Sequence, residues 1–306
     1  MKKIQLGSSE IEVSPIAIGC MRLNALSERE VEEYIESCME EGVNFFDHAD
    51  IYGGGVCEAL FGNVLKKHPE IREKMFLQSK CGIIPKKMYD ASKDYILQSV
   101  EGILERLHTD HLDMLLLHRP DALIEPEEVA EAFDKLQEQR KVLNFGVSNY
   151  NPMQIQLLQK YVKQPLLVNQ LQFSIPVSNI VASGMEVNMT TDGAINRDGS
   201  VLDYCRLKEI TIQAWSPFQK PFKGGLFLDN EEDVALNSVL QQIAEDHHAT
   251  KTMIATAWIL RHPAHIQMIA GTTNTARMKE ILKGAEIRLS REEWYRIYLA
   301  AGHILP

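Results

Sequence analysis

Eight short apolar runs alternate with amphipathic helical segments along this chain, and few folds accommodate such a pattern. Most runs lack strict polar alternation, which is typical of parallel strands covered on both faces. The runs are residues 15–18, 43–46, 75–77, 112–117, 142–147, 166–168, 210–214 and 266–270. They predict an α/β protein with a closed (β/α)8 barrel, a TIM barrel. An open doubly wound sheet is the alternative, but no G-x-G-x-x-G loop follows any run.

Three of the helical segments carry start signals that are read directly from the sequence. Ser27 with Glu30, and Ser290 with Glu293, match the capping-box pattern. Pro126 is followed by two glutamates, and this combination favours the first turn of a helix. Helices are therefore expected to begin at these three places.

Several segments lie outside the alternation of strands and helices. Residues 4–6 and 11–13 flank a Gly-Ser-Ser turn and predict an N-terminal β-hairpin that closes the bottom of the barrel. Residues 174–200 lack periodicity and predict an extended loop after the sixth strand. Residues 216–227, which include Lys223, suit either a lid over a cofactor pyrophosphate or an ordinary surface loop.

Composition and charge exclude several classes of function. The 42 acidic residues outnumber the 32 basic ones, and a formal net charge of −10 argues against nucleic-acid or anionic-membrane partners. The five cysteines form no CxxC pair, and the N-terminus lacks the apolar segment of a signal peptide. We therefore expect one cytoplasmic domain, residues 1–306, without a metal centre; the sequence gives no oligomeric state.

Polar or aromatic side chains follow nearly every predicted strand. In a barrel, the carboxyl ends of the strands meet at one rim, where active sites lie. In strand order, the residues expected at this rim are Asp47, Tyr52, Lys80, His118, Ser148, Asn149, Asn169, Gln170, Trp215, Ser216, Gly271, Thr272 and Thr273. Each one alone is more often a cap, turn or loop residue. Their shared position predicts an active site.

Four of these residues form a combination suited to placing a proton on an oxygen atom. A free tyrosine has a pKa of about 10, so Tyr52 by itself would be a slow acid–base group. A nearby ammonium such as Lys80 is expected to lower that pKa, and Asp47 would hold the ammonium in place. A neutral His118 can hydrogen-bond a substrate carbonyl. This set predicts protonation of an oxygen while hydride reaches a carbon.

At these positions the chain resembles the aldo-keto reductase superfamily over essentially its whole length. The matching segments are 46–53 (FDHADIYG), 78–82 (QSKCG), 112–118 (LDMLLLH), 145–149 (FGVSN), 168–170 (VNQ) and 270–274 (AGTTN). Residues 119–121 (RPD) and the close spacing of Asp47 and Tyr52 resemble the bacterial branch called YdhF-like.

The resemblance implies a role for each matching residue. Tyr52 would be the general acid in carbonyl reduction, Lys80 and Asp47 would tune it, and His118 would orient the carbonyl. The residues implied at the nicotinamide end of the cofactor are Ser148, Asn149, Gln170 and Trp215, and Ser216 is also implied to bind the cofactor. Those implied at the phosphate and adenosine end are Gly271, Thr272, Thr273, Asn274, Arg277 and Glu280. A helix that begins near Thr273 would turn free backbone N–H groups toward phosphate. The resemblance implies NADPH, a small carbonyl substrate and no metal.

Three departures from the family pattern affect these expectations. Asn274 stands where the family often has lysine, and Ile281 where it often has asparagine, although Arg277 can still pair with a 2′-phosphate. NADH therefore stays open as an alternative cofactor. Trp215 stands where the family more often has tyrosine, which predicts altered cofactor affinity or release.

Two other classes of function are compatible with parts of this pattern. A nicotinamide-binding sensor or regulatory subunit with little turnover would carry the same residues, and related barrels serve as channel accessory subunits. A metal-dependent hydrolase or lyase would need several carboxylate or histidine ligands at the rim, where only Asp47 and His118 qualify.

Overall fold

The computed structural model describes residues 1–221 and 224–305. Its strands are β1 Ile4–Gln5, β2 Glu12–Val13, β3 Ile16–Gly19, β4 Phe45–Asp47, β5 Phe76–Cys81, β6 Ile83–Ile84, β7 Met88–Tyr89, β8 Leu112–Leu117, β9 Val142–Ser148, β10 Leu166–Gln172, β11 Thr211–Trp215 and β12 Gln267–Ala270. Its helices are α1 Glu28–Glu40, α2 Val56–Lys67, α3 Lys93–Leu107, α4 Pro126–Glu138, α5 Pro152–Gln159, α6 Asn179–Met185, α7 Val201–Leu207, α8 Val234–Asp246, α9 Lys251–Leu260, α10 Thr275–Gly284 and α11 Arg291–Ala300.

Eight of these strands form a closed barrel in the order β3, β4, β5, β8, β9, β10, β11, β12 and back to β3. Neighbouring strands in the barrel are parallel. Each of the eight apolar runs of the sequence overlaps one of these strands, and helices separate the strands along the chain. The predicted (β/α)8 barrel is confirmed.

The third and sixth barrel strands run further than their apolar runs predict. β5 continues four residues past residue 77, and β10 continues four residues past residue 168. The added residues Gln78, Lys80 and Gln170 are polar, yet all three are buried and hydrogen-bonded to other strands. These extensions therefore carry polar groups of the site into the barrel.

The N-terminal hairpin is present where the sequence predicts it. β1 and β2 pair in antiparallel orientation. Leu6 and Val13 are fully buried and pack with Phe45, Phe76 and Met114 in one apolar cluster. The hairpin closes the amino-terminal end of the barrel, as expected, so the polar interior opens to solvent at the carboxyl end.

The loop predicted over residues 174–200 is more structured than its sequence indicates. It contains α6 and a 3₁₀ turn. Val181 of α6 is buried, and the hydroxyl of Ser178 lies 2.7 Å from Nε2 of His303 near the C-terminus. Tertiary contacts therefore stabilise this helix, which explains why local periodicity did not reveal it.

The predicted helix starts are confirmed. Ser27 and Ser290 accept hydrogen bonds from the backbone N–H groups of Glu30 and Glu293, and both capping boxes are complete. Pro126 is the first residue of α4. In the described ranges, no helix is long and apolar enough to cross a membrane.

Candidate active site

The side chains of Asp47, Lys80 and Tyr52 meet at the carboxyl end of the barrel. Lys80 is fully buried, and its Nζ lies 2.8 Å from Oδ2 of Asp47 and 2.8 Å from the backbone oxygen of His48. The third contact of Nζ is the hydroxyl of Tyr52, at 3.1 Å. An ammonium has three hydrogens, and here each has an acceptor. The phenol and the amine therefore share one compartment.

A glycine-rich turn places the ring of Tyr52 under the amine of Lys80. The turn follows β4, and glycines 53–55 have φ values of 59°, 65° and 94°. This left-handed backbone is costly for residues with a Cβ. At the last of the three, a Cβ would lie only 2.9 Å from Cδ of Arg106. The turn leaves Nζ of Lys80 4.9 Å from the centroid of the Tyr52 ring.

Burial raises the pKa of Tyr52 above its ordinary value, and this corrects the expectation that Lys80 lowers it. Lys80 does act in the lowering direction, but it is outweighed by burial and partly opposed by Asp47. Burial also acts to lower the pKa of Lys80, but the charges and hydrogen bonds of Asp47 and Tyr52 raise it overall. At neutral pH the phenol is therefore protonated and the amine charged, as proton donation requires.

His118 follows β8 and lies beside Tyr52, with ring centroids 6.2 Å apart. Burial, then the charges of Lys80 and Arg119, hold the pKa of His118 well below its ordinary value. Its Nδ1 is buried without a hydrogen-bond partner among residues 1–221 and 224–305. The ring is thus a neutral imidazole, which can donate a hydrogen bond without adding charge.

These side chains line a cleft of about 1050 Å³. That volume lies at the upper end of the range for small-molecule sites. The predicted residues in its wall are Asp47, Tyr52, His118, Ser148, Asn149, Gln170, Trp215, Ser216, Gly271, Thr272, Thr273, Asn274 and Arg277. Lys80 lies buried behind the wall. Glu280 is on α10 and is not one of the residues that line the cleft, so its role stays a prediction.

The residues predicted at the nicotinamide end are linked by hydrogen bonds. Nε1 of Trp215 donates to Oδ1 of Asn149 at 3.2 Å, and Nδ2 of Asn149 donates to Oγ of Ser148 at 2.7 Å. Oγ of Ser148 in turn donates to the backbone oxygen of Gln170 at 3.0 Å. Asn149 has a φ of 62°, a conformation that asparagine tolerates better than most residues. The indole N–H of Trp215 thus orients the Asn149 amide.

The segment after β12 is held by two residues that sequence reasoning missed. Nη1 of Arg22 donates to the backbone oxygen of Gly271 at 2.6 Å, and the hydroxyl of Tyr34 donates to the backbone oxygen of Thr272 at 2.5 Å. Arg22 also lines the cleft. These contacts join residues more than 200 positions apart in the chain, so no local pattern could have shown them.

The helix predicted near Thr273 begins at Thr275. Asn274 is its N-cap, and Oδ1 of Asn274 accepts a hydrogen bond from the backbone N–H of Arg277 at 2.9 Å. The side-chain oxygen of Asn274 is therefore engaged by the helix itself. Arg277 is exposed in the wall of the cleft, where its guanidinium is accessible to an anionic ligand.

Arg119 is a further residue of the cleft that was not predicted individually. It directly follows His118, so its position at the rim could have been read from the sequence. Its guanidinium carbon lies over the ring of Trp215, 5.8 Å from the centroid. With Arg22 and Arg277, it gives the cleft wall three arginines in a chain of net charge −10. This local charge favours an anionic ligand.

Residues 216–227 form one side of the cleft in the positions that the structure describes. Nζ of Lys220 lies 2.8 Å from Glu232 and 3.1 Å from Asp233, so its charge is already paired. Lys223, part of the same predicted lid, lies outside the described residues. The lid stays a prediction.

Two acidic residues, Asp50 and Glu58, flank the Tyr52 turn along the chain. Glu58 is fully buried and accepts hydrogen bonds from Oγ of Ser79 at 2.6 Å and Nε of Arg106 at 2.8 Å. Oδ1 of Asp50 is buried and has no hydrogen-bond partner within the described part of the chain. Burial, followed by the charge of Glu58, raises the pKa of Asp50 to about 7. Asp50 therefore changes charge near neutral pH.

We expect Asp50→Asn to raise the free energy of unfolding more at about pH 8 than at about pH 5. The pKa of Asp50 is higher in the folded state, so between about pH 4 and about pH 7 the folded protein binds more protons than the unfolded protein does. Wild type therefore loses stability as pH rises through that window. Asparagine does not titrate, so the variant lacks this loss. Urea unfolding of both proteins at both pH values measures the difference. The prediction would be contradicted if wild type and the variant lost the same free energy of unfolding between the lower and the higher pH.

Comparison with known proteins agrees with this geometry. The model of the Aldo/keto reductase family matches residues 15–300. Relatives include the uncharacterized oxidoreductase YcsN of Bacillus subtilis (37% identical, 100% of both chains), 6-dehydroglucose reductase of Agrobacterium fabrum (34%, 98% of both) and oxidoreductase YdhF of Escherichia coli (33%, 100% of both). The crystal structure of the thermostable aldo-keto reductase Tm1743 matches with a TM-score of 0.79 at 26% identity, covering 98% of this chain and 100% of that one.

The chain belongs to the aldo/keto reductase family. It is an NAD(P)H-dependent oxidoreductase that acts on carbonyl groups of small molecules. Its full-length similarity to YdhF confirms the bacterial branch that the sequence resembles.

Proposed function

We propose that this protein reduces aldehydes or ketones to alcohols with NADPH, with Tyr52 as the general acid. The observation that carries this proposal is the 3.1 Å contact between the Tyr52 hydroxyl and the buried amine of Lys80. Bound NADPH would supply hydride to the carbonyl carbon. Tyr52 gives its proton to the carbonyl oxygen, and neutral His118 hydrogen-bonds the same oxygen. Lys80 stabilises the phenolate that remains, and Asp47 keeps Lys80 in place.

The residues of the cleft fit a nicotinamide dinucleotide. At one end, the side-chain carbonyl of Gln170 has no hydrogen-bond partner among the described residues and lies in the wall of the cleft. Ser148 and Asn149 lie beside it, and Trp215 offers a ring for stacking. At the other end are the residues of segment 271–274 with Ser216, Arg22 and Arg277, which suit phosphates.

The cofactor preference tests the role of Arg277. We expect Arg277→Met to raise the Kd of NADPH by about 10- to 100-fold, because charge-assisted hydrogen bonds to a 2′-phosphate contribute about 1.5–3 kcal/mol. NADH has no such phosphate, so its Kd is expected to change by less than about twofold. Fluorescence titration of both dinucleotides measures this. Equal weakening of the two would place Arg277 elsewhere on the cofactor.

Turnover is the direct test of the proposed function. Purified protein is mixed with NADPH and a panel of aldehydes, ketones and quinones that includes 6-dehydroglucose, the compound named for a relative. We expect consumption of NADPH, formation of the matching alcohol, and no effect of a chelator. Tight NADPH binding without turnover on the whole panel would contradict the proposal and favour a sensor or regulatory subunit.

A further inference from the structure

Four glutamines from four strands form a hydrogen-bonded chain inside the barrel. They are Gln78 on β5, Gln170 on β10, Gln213 on β11 and Gln267 on β12, and none is more than 3% exposed. Barrel interiors are usually filled by branched apolar side chains. A buried amide is tolerated only when its donors and acceptors are paired. The four buried amides must therefore find hydrogen-bond partners inside the barrel.

Gln213 is the centre of this chain. Its Oε1 accepts from Nε2 of Gln78 at 2.9 Å and from Nε2 of Gln170 at 2.9 Å. Its Nε2 donates to Oε1 of Gln78 at 3.2 Å and to Oε1 of Gln267 at 2.8 Å. Gln78 and Gln170 also donate to Oδ1 of Asp47, at 2.5 Å and 3.1 Å. Both hydrogens of Gln170 Nε2 are thus used.

The two ends of this hydrogen-bonded chain of glutamines fix which way each side-chain amide turns its oxygen and its nitrogen. Nε2 of Gln267 donates to the backbone oxygen of Ser14 at 2.8 Å, and a carbonyl can only accept. Gln267 must therefore turn its own oxygen toward Gln213. At the other end, the carboxylate of Asp47 is paired with Lys80 and also accepts. Assignments of amide oxygen and nitrogen rest on such networks, and here the two ends agree.

These hydrogen bonds fix the orientation of the Gln170 amide, and Gln170 lines the cleft. Its N–H₂ group points to Asp47 and Gln213, so its carbonyl oxygen is the atom left for a ligand. The opposite orientation would set that oxygen against a carboxylate and against Oε1 of Gln213. The barrel interior therefore makes this position of the cleft a hydrogen-bond acceptor.

We propose that Gln213 is a positioning residue that fixes the Gln170 amide, so that the site recognises the N–H₂ group of a nicotinamide carboxamide. This inference rests on the proposed function. Gln213 does not line the cleft, and of its three glutamine partners Gln170 is the one that does. The chemical class recognised is a ring with a primary carboxamide, as opposed to the same ring with an acetyl group, which has no N–H to donate.

The test is a ratio of dissociation constants. Tryptophan fluorescence gives the Kd of NADP⁺ and that of its 3-acetylpyridine analogue for wild type and for Gln213→Met. Wild type is expected to favour the carboxamide by about tenfold, and the ratio is expected to fall by at least roughly threefold in Gln213→Met. Gln164→Met is the matched control, because Gln164 is also buried but bonds Asp134 and Gln137, away from the cleft. Its ratio should equal that of wild type.

Each result below tests the positioning role of Gln213, the proposed function, or both. A ratio in Gln213→Met that stays within roughly threefold of wild type overturns the positioning role. If wild type binds both dinucleotides equally tightly, the positioning role is also overturned, but the proposed dinucleotide site is not. Wild type that binds neither dinucleotide overturns the proposed function together with this inference. If Gln213→Met does not fold, Gln267→Met, which removes the link to Ser14, is held to the same threshold.

Discussion

Phenylalanine in place of Tyr52 is expected to lower kcat by about 10²–10⁴-fold, the range of a lost general acid. The substitution removes the hydroxyl that lies 3.1 Å from Lys80 but keeps a ring of the same shape under the amine. Because that hydroxyl is used for proton transfer and not for holding the dinucleotide, the Kd of NADPH should change by less than about twofold. Steady-state kinetics and fluorescence titration on the same preparation separate the two effects.

Tyr298→Phe is the matched control for the Tyr52 experiment. The hydroxyl of Tyr298 is buried, has no hydrogen-bond partner in the described ranges, and lies on α11, away from the lining of the cleft. Its loss should leave kcat at the wild-type value. Full activity of Tyr52→Phe would show that the proton comes from another group, and the assignment of the general acid would be wrong.

The barrel and much of its rim could be predicted because both depend on local signals. Parallel strands buried on both faces produce short apolar runs, and the residue after each run falls on the same rim. Asp47, Tyr52 and His118 were identified in this way and line one cleft. Lys80 was also identified, although it lies within β5, because its strand ends one residue later.

Contacts that depend on closure of the barrel could not be predicted from the sequence. Gln78 and Gln213 are 135 positions apart, and each reads locally as an ordinary polar residue in a strand. Their pairing requires the register of the closed barrel. The same holds for His303, whose contact with Ser178 spans 125 positions and helps to stabilise the loop that lacked periodicity.

The direction of the Tyr52 pKa shift shows a related limit. The sequence places an ammonium near the phenol, and this alone predicts a lowered pKa. The structure adds the extent of burial, which is the larger influence and acts in the opposite direction. Charge partners can be recognised from motifs, whereas the loss of solvent around them depends on how the whole rim packs.

Lys80→Met is expected to abolish most activity and also to destabilise the fold by about 3–5 kcal/mol, as removal of one partner from a buried ion pair does. Lys80 and Asp47 are both essentially unexposed, at 0% and 1% of their side-chain surfaces. Methionine fills similar space, but it leaves a carboxylate whose remaining donors are the amides of Gln78 and Gln170. Urea unfolding gives the loss of stability, and single-turnover kinetics give the loss of activity.

A second substitution separates these two consequences of removing Lys80. In Lys80→Met with Asp47→Asn, the uncompensated charge is gone, so much of the lost stability should return while activity stays low. If the double variant is as unstable as the single one, the cost comes from packing around residue 80. In that case the ion pair would not be what holds this part of the barrel together.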